Sequence, residues 1–228
     1  MISRVSPKAA SQIKVPSPHD WRTTDQDEIN KRRLRGQTEA FTIVNEDDRH
    51  PVFSNFRVQS RSGMSYCVEV RDLAQRRFSC DCVDFRTNGL GTCKHVEAVL
   101  LHVEATLPRS MRRKQPLTSP RIDIVPDRVR DTLRIERGKE SLPRRLQELF
   151  GNDGALQAES PESAIELVRQ VEHPDLRISQ EVTDWIEARR RADERKLLRR
   201  EYEAKVHSGE WPAQETLVPL YPYQREGM

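Results

Sequence analysis

The chain has 228 residues, of which 35% are hydrophobic, 6% aromatic and 33% charged, and its mean hydropathy of −0.80 leaves too little apolar material for one large core. No apolar run is long enough to span a bilayer or to act as a secretory signal, so an intracellular, cytoplasmic protein that keeps its thiols reduced is expected. The net charge of +3 conceals a polarity: residues 106–146 hold twelve Arg or Lys against five Asp or Glu, and residues 147–185 hold two against nine.

Residues 1–20 are polar and proline-bearing and read as a disordered tail. Asp25-Gln26-Asp27-Glu28 opens a short helix with Lys31, Arg32, Arg33 and Arg35 near its end, a charge order that suits the helix dipole, and Gly36 is expected to stop it. From residue 38 the texture becomes strand-like. Phe41, Ile43 and Val44 begin a first strand, Asn45 to Asp48 form a turn, and Phe53, Phe56 and Val58 mark a second. After the turn at Arg61-Ser62-Gly63, Tyr66, Val68 and Val70 alternate with Cys67 and Glu69. A turn near Asp72 then leads to Arg77-Phe78-Ser79-Cys80. An antiparallel meander follows from this order.

Cys80-Asp81-Cys82, ten residues, then Cys93-Lys94-His95 gathers three of the four cysteines and one histidine within sixteen residues. Three thiols and an imidazole are a tetrahedral zinc set, and with all four positions filled by protein the site is closed and structural. If Cys80 and Cys82 lie on a strand they share a face. Phe85 and the glycine-bearing loop Arg86 to Thr92 reverse the chain. Cys93 and His95 open a helix whose Val96, Val99, Leu100, Val103 and Leu107 form one stripe, and a thiolate at a helix start is stabilised by the dipole. Cys67 reads as a small unligated side chain. His102, seven residues after His95, reads as a neighbour of the metal and not a ligand.

Pro108 ends that helix, and residues 109–126 read as a linker with a short strand from Ile122 to Val125. Pro143 to Phe150 is amphipathic. Ser160 caps a helix with Pro161 at its first position and Ile165, Leu167 and Val168 on one face. Residues 179–207, capped by Ser179, make the longest helix, with a narrow apolar face and mixed charge that suit a solvated spacer. The expected organisation is a tail and short helix (1–37), a zinc finger domain (38–107), a basic linker (108–142), a helical region (143–210) and a C-terminal segment (211–228). The fold class is α+β: a small zinc-stapled antiparallel sheet plus helix, then a mostly helical region with flexible linkers.

The CxC and CxH pairs, with Phe78-Ser79 before them and Val96 to Leu100 after them, resemble the SWIM-type zinc finger across roughly residues 40–106. The resemblance implies a strand-helix module that contacts DNA or protein. At the C-terminus, Leu220 and Pro222-Tyr223-Gln224-Arg225-Glu226-Gly227 resemble the start of the helicase-like ATPase core of Swi/Snf-type enzymes, in which the glutamine, here Gln224, contacts adenine. No GxxxxGK[ST] loop is present in the sequence. The resemblance therefore implies an N-terminal, non-catalytic fragment of a bacterial DNA-dependent ATPase, with one structural Zn²⁺, ATP used only by the full-length parent, and Gln224 not functional alone.

Two roles are open for such a region. One is DNA binding, by a monomer associated with the nucleoid, through Arg71, Arg76, Arg77 and Lys94 or through the flanks at Lys31 to Arg35 and at Arg109 to Lys114, including Arg112, Arg113 and Lys114. The other is docking of the ATPase on a chromosomal or transcription protein. Residues 41–105 hold eight Arg or Lys against nine Asp or Glu, a poor balance for a dominant grip on phosphates. A metal-dependent enzyme is the poorest reading, because no paired carboxylates or nucleophile-base pair stands out.

Overall fold

The structure, a computed structural model, describes residues 23–107, 119–137, 142–158, 160–211 and 221. Thr24 opens the first helix reciprocally: its hydroxyl accepts from the Asp27 N–H at 3.2 Å while the Asp27 carboxylate accepts from the Thr24 N–H at 2.9 Å. The resulting helix, α1 (Asp25–Thr38), runs through Gly36 instead of stopping there. Gly36 is buried, and a Cβ on it would lie 3.0 Å from Lys94 O, Ala98 N and Glu97 Cβ. It serves a close helix crossing and not a terminus.

The expected meander is present. Strands β1 (Phe41–Asn45), β2 (Asn55–Ser60), β3 (Ser65–Asp72) and β4 (Arg77–Cys80) pair antiparallel in sequence order. The register sets Ile43 against Val58, Phe56 against Val68, and Val68 against Cys80, so the apolar phase of each strand falls on one face. That face packs under α3 (Lys94–Thr106) through Val96, Val99 and Val103, and the three buried cysteines belong to the same core. Between β4 and α3 lies α2 (Val83–Asn88), closed by Gly89 in the left-handed region at φ 68°. The helix takes in Arg86, Thr87 and Asn88, the first residues of the loop expected from Arg86 to Thr92; its six residues, with Asp84, Arg86, Thr87 and Asn88, show no apolar period.

The chain from residue 119 onward forms a second sheet inside the stretches read as basic linker and helical region. Strands β5 (Ile122–Asp127) and β6 (Thr132–Arg137) make an antiparallel hairpin, and β7 (Leu176–Ile178) joins β5 in parallel, giving the order β6-β5-β7. Short helices α4 (Arg144–Leu149) and α5 (Pro161–Arg169) lie between β6 and β7 in the chain. The Ser160 hydroxyl accepts from the Ser163 N–H and Pro161 sits in the first turn, as expected. Buried Ile122, Ile124, Leu133, Leu146, Phe150, Ile165 and Val168 supply apolar weight here. Gly154 adopts φ +79°, and a Cβ on it would lie 2.8 Å from Ile135 O. Gly154→Ala is expected to cost about 1–3 kcal/mol, read as a lowered thermal midpoint; an unchanged midpoint would contradict this.

The far side of the meander is covered as well. Glu69 is 1% exposed, although its phase along β3 reads as outward. Its carboxylate accepts from Ser79 Oγ (2.7 Å), Ser179 Oγ (2.6 Å) and the Gln180 N–H (2.9 Å), tying β3 to the start of α6 (Gln180–His207). Ser179 Oγ also accepts from the Glu181 N–H at 3.2 Å, so it caps α6. Arg71, at a register shift on β3, lies 3.2 Å from Glu181 and 3.8 Å from both Glu69 and Glu136.

Arg121 forks onto Asp123 and reaches Asn55 on β2 at 2.9 Å, with both Arg121 and Asp123 buried. The molecule divides into two units between Thr183 and Asp184. In the second unit Leu197 and Leu198 are more than half exposed, Arg189 lies over the Trp185 ring, Lys205 lies over Trp211, and pairs such as Arg199 with Glu203 follow i,i+4 spacing. Among the described residues no helix is long and apolar enough to cross a membrane.

Candidate metal centre

Cys80 ends β4, Cys82 is the residue that caps α2, Cys93 caps α3 and His95 lies in the first turn of α3. The ligand pairs therefore come from a strand end with a helix cap, and from a second helix start. Cys80 and Cys82 do not share one strand face. One ligand atom from each of the four residues lies within 4.8 Å of every other, and all four side chains are buried. His95 Nδ1 is 3.8 Å from Cys80 Sγ and 3.9 Å from Cys93 Sγ. Four soft or imidazole donors at these separations can hold a metal ion.

The backbone prepares two of the sulfurs for negative charge. The Phe85 N–H donates to Cys82 Sγ at 3.4 Å, and the Val96 N–H donates to Cys93 Sγ at 3.5 Å. Each sulfur thus takes the place of a capping oxygen at a helix N-terminus, where a negative charge would also meet the positive end of the dipole. Hydrogen bonds from Cys80 and Cys93, with help from His95 and the Phe85 N–H, pull the Cys82 thiol far below its ordinary value. Cys80 is pushed up, first by its hydrogen bonds to Cys82 and Cys93 and then by burial. Three thiols this close cannot all ionise unaided, which is what a cation would permit.

The imidazole is held by aromatic walls. Tyr66 stacks on His95 with centroids 4.1 Å apart, and Phe41 meets it edge-on at 5.5 Å. Its Nε2 is buried and has no hydrogen-bond partner among the described residues, so the ring is oriented by packing on one side and by the sulfurs on the other. Tyr66 and Phe41 were legible only as strand residues. Their part in the site depends on β1 and β3 lying under the first turn of α3.

Cys67 is outside the cluster; its thiol is pushed up to about 12 by burial, then by Glu69, Glu46 and Asp81. His102 packs edge-on against Phe56 at 6.5 Å and contributes no atom to the cluster.

The basic residues singled out as phosphate contacts are, where described, engaged within the protein. Arg71 is buried among three carboxylates and also donates to Phe78 O at 3.2 Å, so it is a structural cation and not a surface contact. Arg76 pairs with Glu97 at 3.3 Å, Arg77 lies 3.9 Å from Glu136, and Lys94 pairs with Glu39 at 2.5 Å. Along α1, Lys31 pairs with Glu28, Arg32 with Asp84, Arg33 with Glu97 and Arg35 with Glu39. Sequence reasoning saw these cations without their carboxylates, because most of the partners come from other elements. Arg112, Arg113, Lys114 and Gln224 lie outside the described residues.

No family model, curated protein or solved structure matches this chain.

Proposed function

We propose that residues 38–107 form a zinc-stapled module of the SWIM type, and that the chain is the accessory region of a Swi/Snf-type DNA-dependent ATPase with no catalysis of its own. The observation that carries the zinc reading is the buried Cys80, Cys82, Cys93, His95 set. Bond lengths of about 2.3 Å to sulfur and about 2.0–2.1 Å to nitrogen give tetrahedral edges of roughly 3.6 Å between sulfur and nitrogen. The 3.8 and 3.9 Å separations at His95 Nδ1 are close to that edge. Bound there, zinc would supply folding free energy and neutralise the thiolates, while the protein supplies the two capping N–H groups and the aromatic walls. Metal analysis of the purified chain is expected to find one zinc; a folded protein that contains none refutes the reading.

Of the two roles for such a module, the ion pairs favour docking on a protein partner over a grip on DNA. A lysine or arginine already paired at 2.5–3.3 Å with a carboxylate must break that pair before it neutralises a phosphate. Binding of the full chain to duplex and single-stranded DNA across a salt series discriminates. Docking predicts weak binding with a shallow slope of log K against log salt, whereas a slope equivalent to several phosphates restores the DNA reading.

A further inference from the structure

Three of the four cluster residues sit at two helix starts, Cys82 as the cap of α2 and Cys93 with His95 at the opening of α3, while Cys80 ends β4. One helix grips both. Toward α2, Arg32 forks onto Asp84, with Nη2 donating to Oδ1 at 2.7 Å and Nε to Oδ2 at 3.1 Å, two residues beyond Cys82. The same guanidinium is fixed from behind by the Glu28 carbonyl and carboxylate, and it is only 14% exposed. Toward α3, Gly36 lets the backbone approach Lys94 O and Ala98 N, Arg33 pairs with Glu97, and Glu39 pairs with Lys94, the residue between Cys93 and His95. The Asp84 carboxylate also accepts from Asn88, which donates to Thr92 O beside Cys93, so the two helix starts are joined again at the turn.

We propose that α1 is a clamp on the metal centre, with Arg32 and Gly36 as positioning residues that hold the two helix starts at binding distance. The inference rests on the zinc reading above. Its physical basis is pre-organisation: a cation that meets ligands already in place does not lose affinity to ordering them, and α2, at six residues, is too short to hold its own orientation. A bidentate arginine-carboxylate contact fixes direction as well as distance, which a lysine at the same place cannot do. Arg32 and Arg33 of α1 are on this account committed to the metal module.

Cobalt titration of the full chain, followed by the thiolate charge-transfer and ligand-field bands, tests this. The wild-type chain is expected to bind one Co²⁺ with a four-coordinate spectrum. Arg32→Ala is expected to weaken binding roughly tenfold with the spectrum and stoichiometry unchanged, at the low end of what loss of a group bonded directly to a ligand costs, and Arg32→Lys is expected to fall between. Gly36→Val, which drives a branched side chain into α3, is expected to match or exceed Arg32→Ala; should it fail to fold, Arg32→Ala decides alone. Unchanged cobalt affinity in the variants that fold overturns the clamp and leaves the metal reading intact. Absence of cobalt binding by the wild-type chain overturns the metal reading instead.

Discussion

With zinc at the Cys/His cluster as proposed, Cys82→Ala is expected to abolish metal binding and, with it, the folded state of the module from β1 to α3. Structural zinc contributes on the order of 10 kcal/mol or more in small metal-folded domains, as much as the whole stability of an ordinary domain of about 5–15 kcal/mol. The substitution also removes the sulfur that caps α2 through the Phe85 N–H, so that helix loses both its metal anchor and its cap. His95→Ala is expected to act similarly, and to leave a space between Tyr66 and Phe41.

Cys67→Ala is the internal comparison. It deletes a thiol of the same chain that lies outside the cluster, and the protein should keep its metal and its far-ultraviolet circular dichroism. The measurement is zinc content and dichroism on the three variants side by side. Equal folding of Cys82→Ala and Cys67→Ala would refute the stapling account. Because thiols must lose protons to bind metal, affinity should fall as pH is lowered, and chelation near neutral pH should reproduce the metal loss of Cys82→Ala while leaving the sulfur cap of α2 in place.

The second large effect is expected at Glu69. Its carboxylate is fully enclosed and accepts from two serine hydroxyls and the first N–H of α6, with Arg71 close by. Glu69→Ala leaves those donors without their acceptor and removes one of the three carboxylates that balance a buried guanidinium. Breaking a buried pair by deleting one partner costs about 3–5 kcal/mol. Glu69→Gln keeps an acceptor oxygen and should cost less. Urea unfolding reads both, with the midpoint order wild type, Gln, Ala. A shift below about 1 kcal/mol for Ala would mean that the network is ornamental, since changes of that size are common at ordinary sites.

The parts of this molecule that were legible in the sequence are those written in local periodicity. The alternation of Tyr66, Val68 and Val70 gave β3, the stripe from Val96 to Leu107 gave α3, and Ser160-Pro161 gave the start of α5. The metal set was legible for a different reason, since few other arrangements explain three clustered cysteines and a histidine at that spacing. What could not be seen is what depends on distant partners. Gly36 carries the ordinary signature of a helix end, and only the approach of α3 explains it inside a helix.

Arg71 and Glu69 look like an exposed cation and an exposed anion until Ser179, Glu136 and Glu181 arrive from the second half of the chain. The strand β7 has three residues and pairs in parallel with β5 across more than fifty positions, a contact that no local pattern announces. Residues 132–137 do alternate, with Leu133 and Ile135 buried, but their basic surroundings suggested a linker.

The Glu69 carboxylate has a consequence for the order in which the molecule can be completed. All four residues of the Cys/His cluster precede residue 96 in the chain. Ser179 and Gln180, which satisfy Glu69, are 110 and 111 positions further along. Without those partners a carboxylate and a guanidinium at this place on the sheet would need water in their stead. The charges that end as the interior of this seam are thus made long before Ser179, Gln180 and Glu181, the residues that satisfy them.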